Sequence, residues 1–338
     1  DPDATAAGTG ETLWLRATKF GDDMDRVLRR KDGRLTYIAS DIAYHKDKFN
    51  RPEGADKLIT VLGPDHHGYI SRLHAVLAAI EYSIPKQSEG AGQELSEVEA
   101  KLYASAAERD AARAALEKAK QELEVVIFQL VRFVKDGKPA PMRKRDGNIY
   151  AIIDLISEIG QHAKPSASKE EQLKVGKDVA RFFYLMRSHD TTFDFDLDLA
   201  QRQSDENPVF YVQYAHARIC SVLKKAEEAG ITKNTNYELL THDRELALIR
   251  KICDLPYEVQ RAAEDYGVHR LTTYAIELAR SYHSFYDVCR VIEPNDPETS
   301  GARCALCQAT KTALQATFNL LGIEAPEKME RDPVALEA

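Results

Sequence analysis

The stretch Gly63-Pro64-Asp65-His66-His67-Gly68 sets a carboxylate and two imidazoles between glycines, where an apolar run ends and a helical pattern begins. In an open parallel sheet the crevice outside the carboxyl end of a strand is where ligands bind, and the N-terminus of the following helix favours phosphate. The plain alternative is a strand-to-helix turn with Asp65 as cap and surface histidines. Adjacent histidines on a helix cannot both face one ion, so a metal centre is not expected there. A second constellation, Pro141-Met142-Arg143-Lys144-Arg145-Asp146-Gly147-Asn148, gathers cations on a glycine-ended loop. Such a loop suits the charge that develops on a pyrophosphate, whereas the plain alternative is a solvated basic turn. Third, Phe193-Asp194-Phe195-Asp196-Leu197-Asp198 alternates acids with apolar residues. It lacks the glycine-centred loop and terminal glutamate of an EF-hand and reads as an acidic, helix-initiating segment.

The elements around these residues follow from hydrophobic period. The alternation of Thr12 to Arg16, the stretch Phe20 to Leu28 and the turn signal Lys31-Asp32-Gly33 predict strands joined by tight turns. Leu58 to Leu62, β-branched and closed by Gly63-Pro64, predicts a buried strand; Ile70, Leu73, Val76, Leu77 and Ile80 predict a helix from Ile70 to Tyr82. Glu124 to Val131 predicts a further strand. Between them, Lys86 to Glu122 turns polar, then rich in Ala, Glu and Lys, which predicts a linker and an exposed helix from about Leu95 to Glu122. Gln161 to Lys174, with Pro165 and clustered Ser and Lys, predicts a surface loop. After Lys177 the spacing is helical over Val179 to Met186, Pro208 to Leu223, Glu245 to Tyr257, Leu271 to Val291 and Ala302 to Leu321, as in a bundle. The expected fold class is α/β followed by all-α.

A chain of 338 residues accommodates two or three domains, and 43% hydrophobic with 30% charged residues is the composition of a globular protein. No window approaches the roughly 18 apolar residues of a membrane span, and Asp1 to Gly10 has neither a basic start nor an apolar core. No membrane is expected, and the cytoplasm is the expected location. Five cysteines, an odd number, argue for reduced thiols. Cys304 and Cys307 make one C-x-x-C inside an apolar helical pattern, with no second pair to close a zinc site. With a formal net charge of −8, any nucleic-acid contact must be local.

Several of these stretches resemble the arginyl-tRNA synthetases, class I aminoacyl-tRNA synthetases. The resemblance is carried by Phe20 to Leu28, Tyr37-Ile-Ala-Ser-Asp41-Ile-Ala-Tyr-His45, Gly63 to Tyr69, Lys177 to Ser188, Asn207 to Arg218, His283 to Val291 and Leu320 to Met329. It implies ATP-dependent formation of arginyl-adenylate, with Mg2+, and transfer of arginine to the terminal ribose of tRNA(Arg). It further implies the C-terminal half of a Rossmann-like catalytic domain over 1–176, with an inserted polar helix at about 86–122, and a helical anticodon-binding domain over 177–338. Tyr37 and Asp41 match the family's Tyr-x-x-x-Asp of the arginine pocket, where a carboxylate suits the donor fork of a guanidinium. Gly63, Asp65, His66 and His67 match its G-x-D-H-H on the ATP side. Tyr211, Tyr214, Tyr286 and Met329 correspond to positions that meet the anticodon loop, where rings stack on splayed bases. Tyrosines at i and i+3 of a helix are otherwise ordinarily core.

The sequence departs from the family in three places. The H-I-G-H-type signature appears nowhere, so a fragment or truncated product is expected. The second signature, usually K-M-S-K, is represented by Pro141-Met142-Arg143-Lys144, in which Met142 and Lys144 are retained. The stretches 86–122 and 161–176 resemble insertions. A monomer is expected, and the alternative reading is a synthetase-like RNA-binding module without independent catalysis.

Overall fold

The computed structural model describes residues 10–82, 95–140 and 151–329. Its contacts gather into two compact units, Asp1–Leu130 and Val131–Ala338.

In the first unit, β1 (Leu13–Leu15) and β2 (Arg26–Arg29) pair antiparallel, as the alternation predicts. Thr36 precedes α1 (Tyr37–Phe49). β3 (Leu58–Leu62) leads through a 3-10 turn, Pro64–Tyr69, into α2 (Ile70–Glu81). After α3 (Glu99–Leu102) and α4 (Ala106–Glu122), the chain returns as β4 (Leu123–Ile127), parallel to β3 from Leu58↔Leu123 to Leu62↔Ile127. The core joins Phe20, Leu73, Leu77, Ala78, Ala112, Ala119 and Leu123.

The expected exposed helix is corrected. α4 packs on α2 and buries Ala112 and Ala119, and Ser105 caps its start by accepting from the Glu108 amide at 3.2 Å. Glu108 is also ion-paired to Lys19, and the Tyr103 hydroxyl donates to the Lys19 carbonyl at 2.8 Å. The helix is the crossover between two parallel strands, an element that this topology requires. Apart from Arg109, its buried residues are alanines, which bring helices close without adding apolar bulk to the sequence pattern.

In the second unit, the sheet order is β6-β5-β7. β5 (Val131–Lys135) and β6 (Lys138–Pro139) form a hairpin across Asp136 and Gly137, with φ of 50° and 69°, the two left-handed residues of a type I′ turn. The strand expected over Glu124 to Val131 is therefore the end of one strand and the beginning of another, in different sheets. α5 (Ile152–Ala163) and α6 (Lys169–Leu185) leave only 164–168 as the turn between them, so the predicted loop at 161–174 is mostly helix. The two helices touch backbone to backbone. A Cβ built on Gly160 would lie 1.9 Å from the Gln172 carbonyl oxygen, and one on Gly176 would lie 1.9 Å from that of Ile156. β7 (Phe193–Asp196) runs parallel to β5, and Asp196 caps α7 (Leu197–Gln201) by accepting from the Leu199 amide at 2.9 Å. The acidic segment thus starts a helix as expected, after a strand that its alternation also encodes.

The rest is helical: α8 (Pro208–Glu228), α9 (Asp243–Cys253), α10 (Leu255–Asp265), α11 (His269–Val288) and α12 (Pro297–Leu321). The single helix expected over Glu245 to Tyr257 is broken at Asp254, and Pro256 falls in the first turn of α10, where its missing N–H costs nothing. Phe133, Leu155, Ile159 and Phe195 share one core with Phe182, Leu248, Tyr274, Tyr282, Phe285 and Phe318, and Cys304 and Cys307 are buried in it. Residues 131–140 and 151–176 consequently pack with the helices, and the contacts divide at 130/131.

Candidate functional site

In the first unit the end of parallel strand β3 delivers Gly63 in an extended conformation (φ −74°, ψ 169°), with open space where a Cβ would stand. The turn that follows leaves Asp65, His66 and His67 exposed, so all three present polar atoms at the carboxyl end of the strand. On α1, Tyr37 and Asp41 lie one turn apart, on one face of the helix. Tyr37 is 90% exposed, and nothing walls it in. Asp41 is half-buried, and its carboxylate accepts a hydrogen bond from the Tyr69 hydroxyl.

Tyr69 ends the same turn that carries Asp65 to His67. Burial, together with its bond to the Asp41 carboxylate and that group's charge, pushes its phenol up to about 12. The Arg72 guanidinium sits 4.7 Å from the Tyr69 ring centroid, and the His66 ring meets that ring edge-on at 6.0 Å. Behind Asp41, the buried His45 contacts the Asp41 carbonyl through Nδ1 at 2.8 Å. Tyr69 therefore joins the Asp41 carboxylate of α1 to the turn that carries Asp65, His66 and His67. Sequence reasoning did not single it out, although it closes the Gly63 to Tyr69 stretch. Met142 and Lys144 lie outside the described residues.

In the second unit the start of α8 is fixed by buried Asn207. Its Oδ1 accepts from the Val209 amide at 3.1 Å, while its Nδ2 donates to the carbonyls of Leu199, Ala200 and Arg202 at 3.1, 3.2 and 3.1 Å. α8 then presents Tyr211, Tyr214 and Arg218, and α11 presents His283 and Tyr286. The Arg218 guanidinium lies 5.2 Å from the ring centroids of both Tyr214 and Tyr286. The His283 ring stacks on Tyr214 at 6.4 Å and tilts against Tyr211 at 5.3 Å. Burial and the Arg218 charge hold the His283 imidazole below its usual pKa, which keeps it neutral between the rings. Tyr214 and Tyr286 each expose more than a third of their surface.

A groove of about 490 Å³ adjoins Tyr286, with exposed Lys225 and Arg290 on its rim and Asp287 beside them. The structure thus brings Tyr211, Tyr214 and Tyr286 together around Arg218 and His283, which sequence reasoning did not select. The signal for both lay in the spacing: Arg218 follows Tyr214 by four residues, and His283 precedes Tyr286 by three. Met329 packs, partly buried, against the helical core. Among the described residues no helix is long and apolar enough to cross a membrane, and no three His, Cys, Asp or Glu side chains converge to hold a metal ion.

Comparison with known proteins bears on both units. Residues 8–102 match the family described as tRNA synthetases class I (R), catalytic domain, and residues 212–329 match the DALR anticodon binding domain. The arginine–tRNA ligases of Bacillus licheniformis and Bacillus subtilis strain 168 are each 42% identical over 318 residues, which is 94% of this chain and 48% of each relative. The chain therefore spans about half the length of the curated relatives it matches. Among solved structures, an arginyl-tRNA synthetase from Campylobacter jejuni is similar at a TM-score of 0.67 and 27% identity, over 96% of this chain and 59% of that one. The arginyl-tRNA synthetase of Thermus thermophilus shares the fold at a TM-score of 0.66 and 22% identity, over 97% and 55%.

Proposed function

The chain belongs to the arginyl-tRNA synthetase family, matching the C-terminal half of its relatives, and from that premise we propose that it serves ATP-dependent ligation of arginine to tRNA(Arg). The observation that carries this reading is the open Tyr214–Arg218–Tyr286 stack. Exposed rings held apart by a guanidinium offer π-faces to unpaired bases, and the groove beside them offers Lys225 and Arg290 to the phosphates.

At the other end, Asp41 receives the guanidinium of arginine in charge-assisted hydrogen bonds, and a side chain without those donors leaves the carboxylate underused. Tyr37 extends along the same face. Gly63, Asp65, His66 and His67 border the nucleotide at the end of β3, and Met142 and Lys144, the retained positions of the second signature, serve its phosphates. Mg2+ would enter with ATP, held mainly by phosphate oxygens and water, and would supply charge neutralisation at the phosphates. Arginine attacks the α-phosphorus of ATP through its carboxylate, pyrophosphate leaves to give arginyl-adenylate, and a hydroxyl of the terminal ribose of the tRNA then attacks the arginyl carbonyl, releasing AMP. Met329 completes the anticodon side. We take the protein to act as a monomer in the cytoplasm.

A second reading, an RNA-binding module without catalysis of its own, draws on the 90% exposure of Tyr37. Two assays separate the readings: tRNA(Arg) binding by this chain, and arginylation by the gene product that contains it. Binding together with arginylation supports the ligase, and binding without arginylation supports the module. A chain that binds tRNA(Arg) no better than an unrelated tRNA defeats both.

A further inference from the structure

Beyond α12 the chain doubles back as a strap. Gly322 takes a left-handed conformation (φ 68°), and a Cβ there would lie 2.6 Å from Arg181 Nε, whose N–H donates to the Leu321 carbonyl. The Glu324 amide donates to Asp178 Oδ2 at 3.0 Å, and Gln213 Nε2 donates both to that same oxygen and to the Glu324 carbonyl, each at 3.0 Å. His216 Nδ1 contacts the Pro326 carbonyl at 2.9 Å, and Lys311 pairs with Glu327 at 3.2 Å. Asp178, Gln213 and His216 are all buried, at 3%, 7% and 1% exposure. A carboxylate and an amide placed inside a helical core are costly unless their partners are fixed, and here the partners are the backbone of the strap.

The strap follows α8. Glu324 meets Gln213, Pro326 meets His216, and Glu327 and Lys328 line a groove of about 560 Å³ with Cys220, Lys224 and Lys311. The groove holding Tyr286 also uses this half of α8, through Val222 and Lys225. One helix therefore carries the aromatic stack and bears the strap.

We propose that Asp178 and Gln213 are positioning residues for RNA binding: by clamping residues 321–327 along α8 they fix Lys328 and Met329 beside the helix that presents Tyr211, Tyr214 and Arg218. The proposal rests on the RNA-binding reading above and adds the part that sets the strap in place. Both bonds to Asp178 end on one oxygen, so a carboxamide oxygen reproduces them and a methyl group does not.

The test measures binding of a tRNA transcript with an arginine anticodon to this chain by fluorescence anisotropy at one salt concentration, with folding followed by circular dichroism. Asp178→Ala is expected to weaken binding about tenfold or more, and Asp178→Asn is expected to stay within about twofold of the parent. A chain ending at Gly322 should bind as weakly as Asp178→Ala, and adding Asp178→Ala to it should change nothing further. If Asp178→Ala does not fold, Gln213→Ala replaces it with the same expectations. Parent-like binding by the alanine variant, or a further severalfold loss in the shortened chain, overturns the proposal alone. A parent chain that does not bind the transcript overturns the RNA-binding reading and this proposal with it.

Discussion

The Tyr69 hydroxyl donates to the Asp41 carboxylate, so the turn after β3 and the helix α1 meet through one hydrogen bond. The bond engages Asp41 Oδ2, which turns a flexible carboxylate into an oriented one.

Tyr69→Phe in the gene product containing this chain should therefore raise the KM for arginine about fivefold to twentyfold, equivalent to losing about 1–1.8 kcal/mol from a hydrogen bond to a charged group. The KM for ATP should change less than about twofold. Steady-state arginylation at varied arginine and varied ATP measures both, and equal losses would show instead that the turn itself had been disturbed.

Asp178 gives a pH-dependent stability. Burial pushes its carboxyl up to about 6, opposed by hydrogen bonds from the Glu324 amide and Gln213 and by the nearby Lys177 charge, with the Glu324 charge adding to the rise. The folded state thus holds this proton more tightly than the unfolded chain does. The resulting stabilisation is complete below pH ~4 and is lost as pH rises through about 6. Relative to Asp178→Asn, the parent should lose on the order of 2 kcal/mol between pH 4 and pH 7 in urea titrations. A constant difference across that range would remove the assignment.

Gly176→Ala should destabilise the chain by about 1–3 kcal/mol, because the added methyl meets the Ile156 backbone rather than a movable side chain. Relief of a mid-helix glycine would by itself stabilise by up to about 1 kcal/mol, so the two effects have opposite signs. Thermal melts decide between them, and a raised Tm would mean that α5 and α6 separate readily.

On the RNA side, Tyr214→Ala should cost about 1–3 kcal/mol of tRNA affinity with little change in the salt dependence, since stacking releases no counterions. Lys225→Ala should instead reduce the slope of log K against log salt by about one ion. Should Tyr214→Ala lower Tm and leave affinity intact, the ring would be acting as packing between Arg218 and His283.

What the sequence made legible follows the strength of local signals. Leu58 to Leu62 and the helix after Ile70 stand out because large apolar residues repeat at one period, and the three tyrosines were found through the motifs around them. α4 was misread because, apart from Arg109, its buried positions are alanines, and the turn between α5 and α6 was overextended because Pro165 and the Ser and Lys around it mark a short turn whose polar composition runs on into the start of α6. The run Glu124 to Val131 concealed two strands, since nothing local says which sheet each joins. Arg218 and His283 gain meaning only from each other across two helices, and Asp178 from a partner 146 residues away.

That last separation also orders events during synthesis. The Asp178 carboxylate waits for Glu324 until nearly the whole helical unit has left the ribosome, and at roughly 5–20 residues per second the gap spans several seconds or more. Contacts this distant in sequence form late because their loop entropy must be met first. A nascent chain thus folds much of its helical core before the strap can lock.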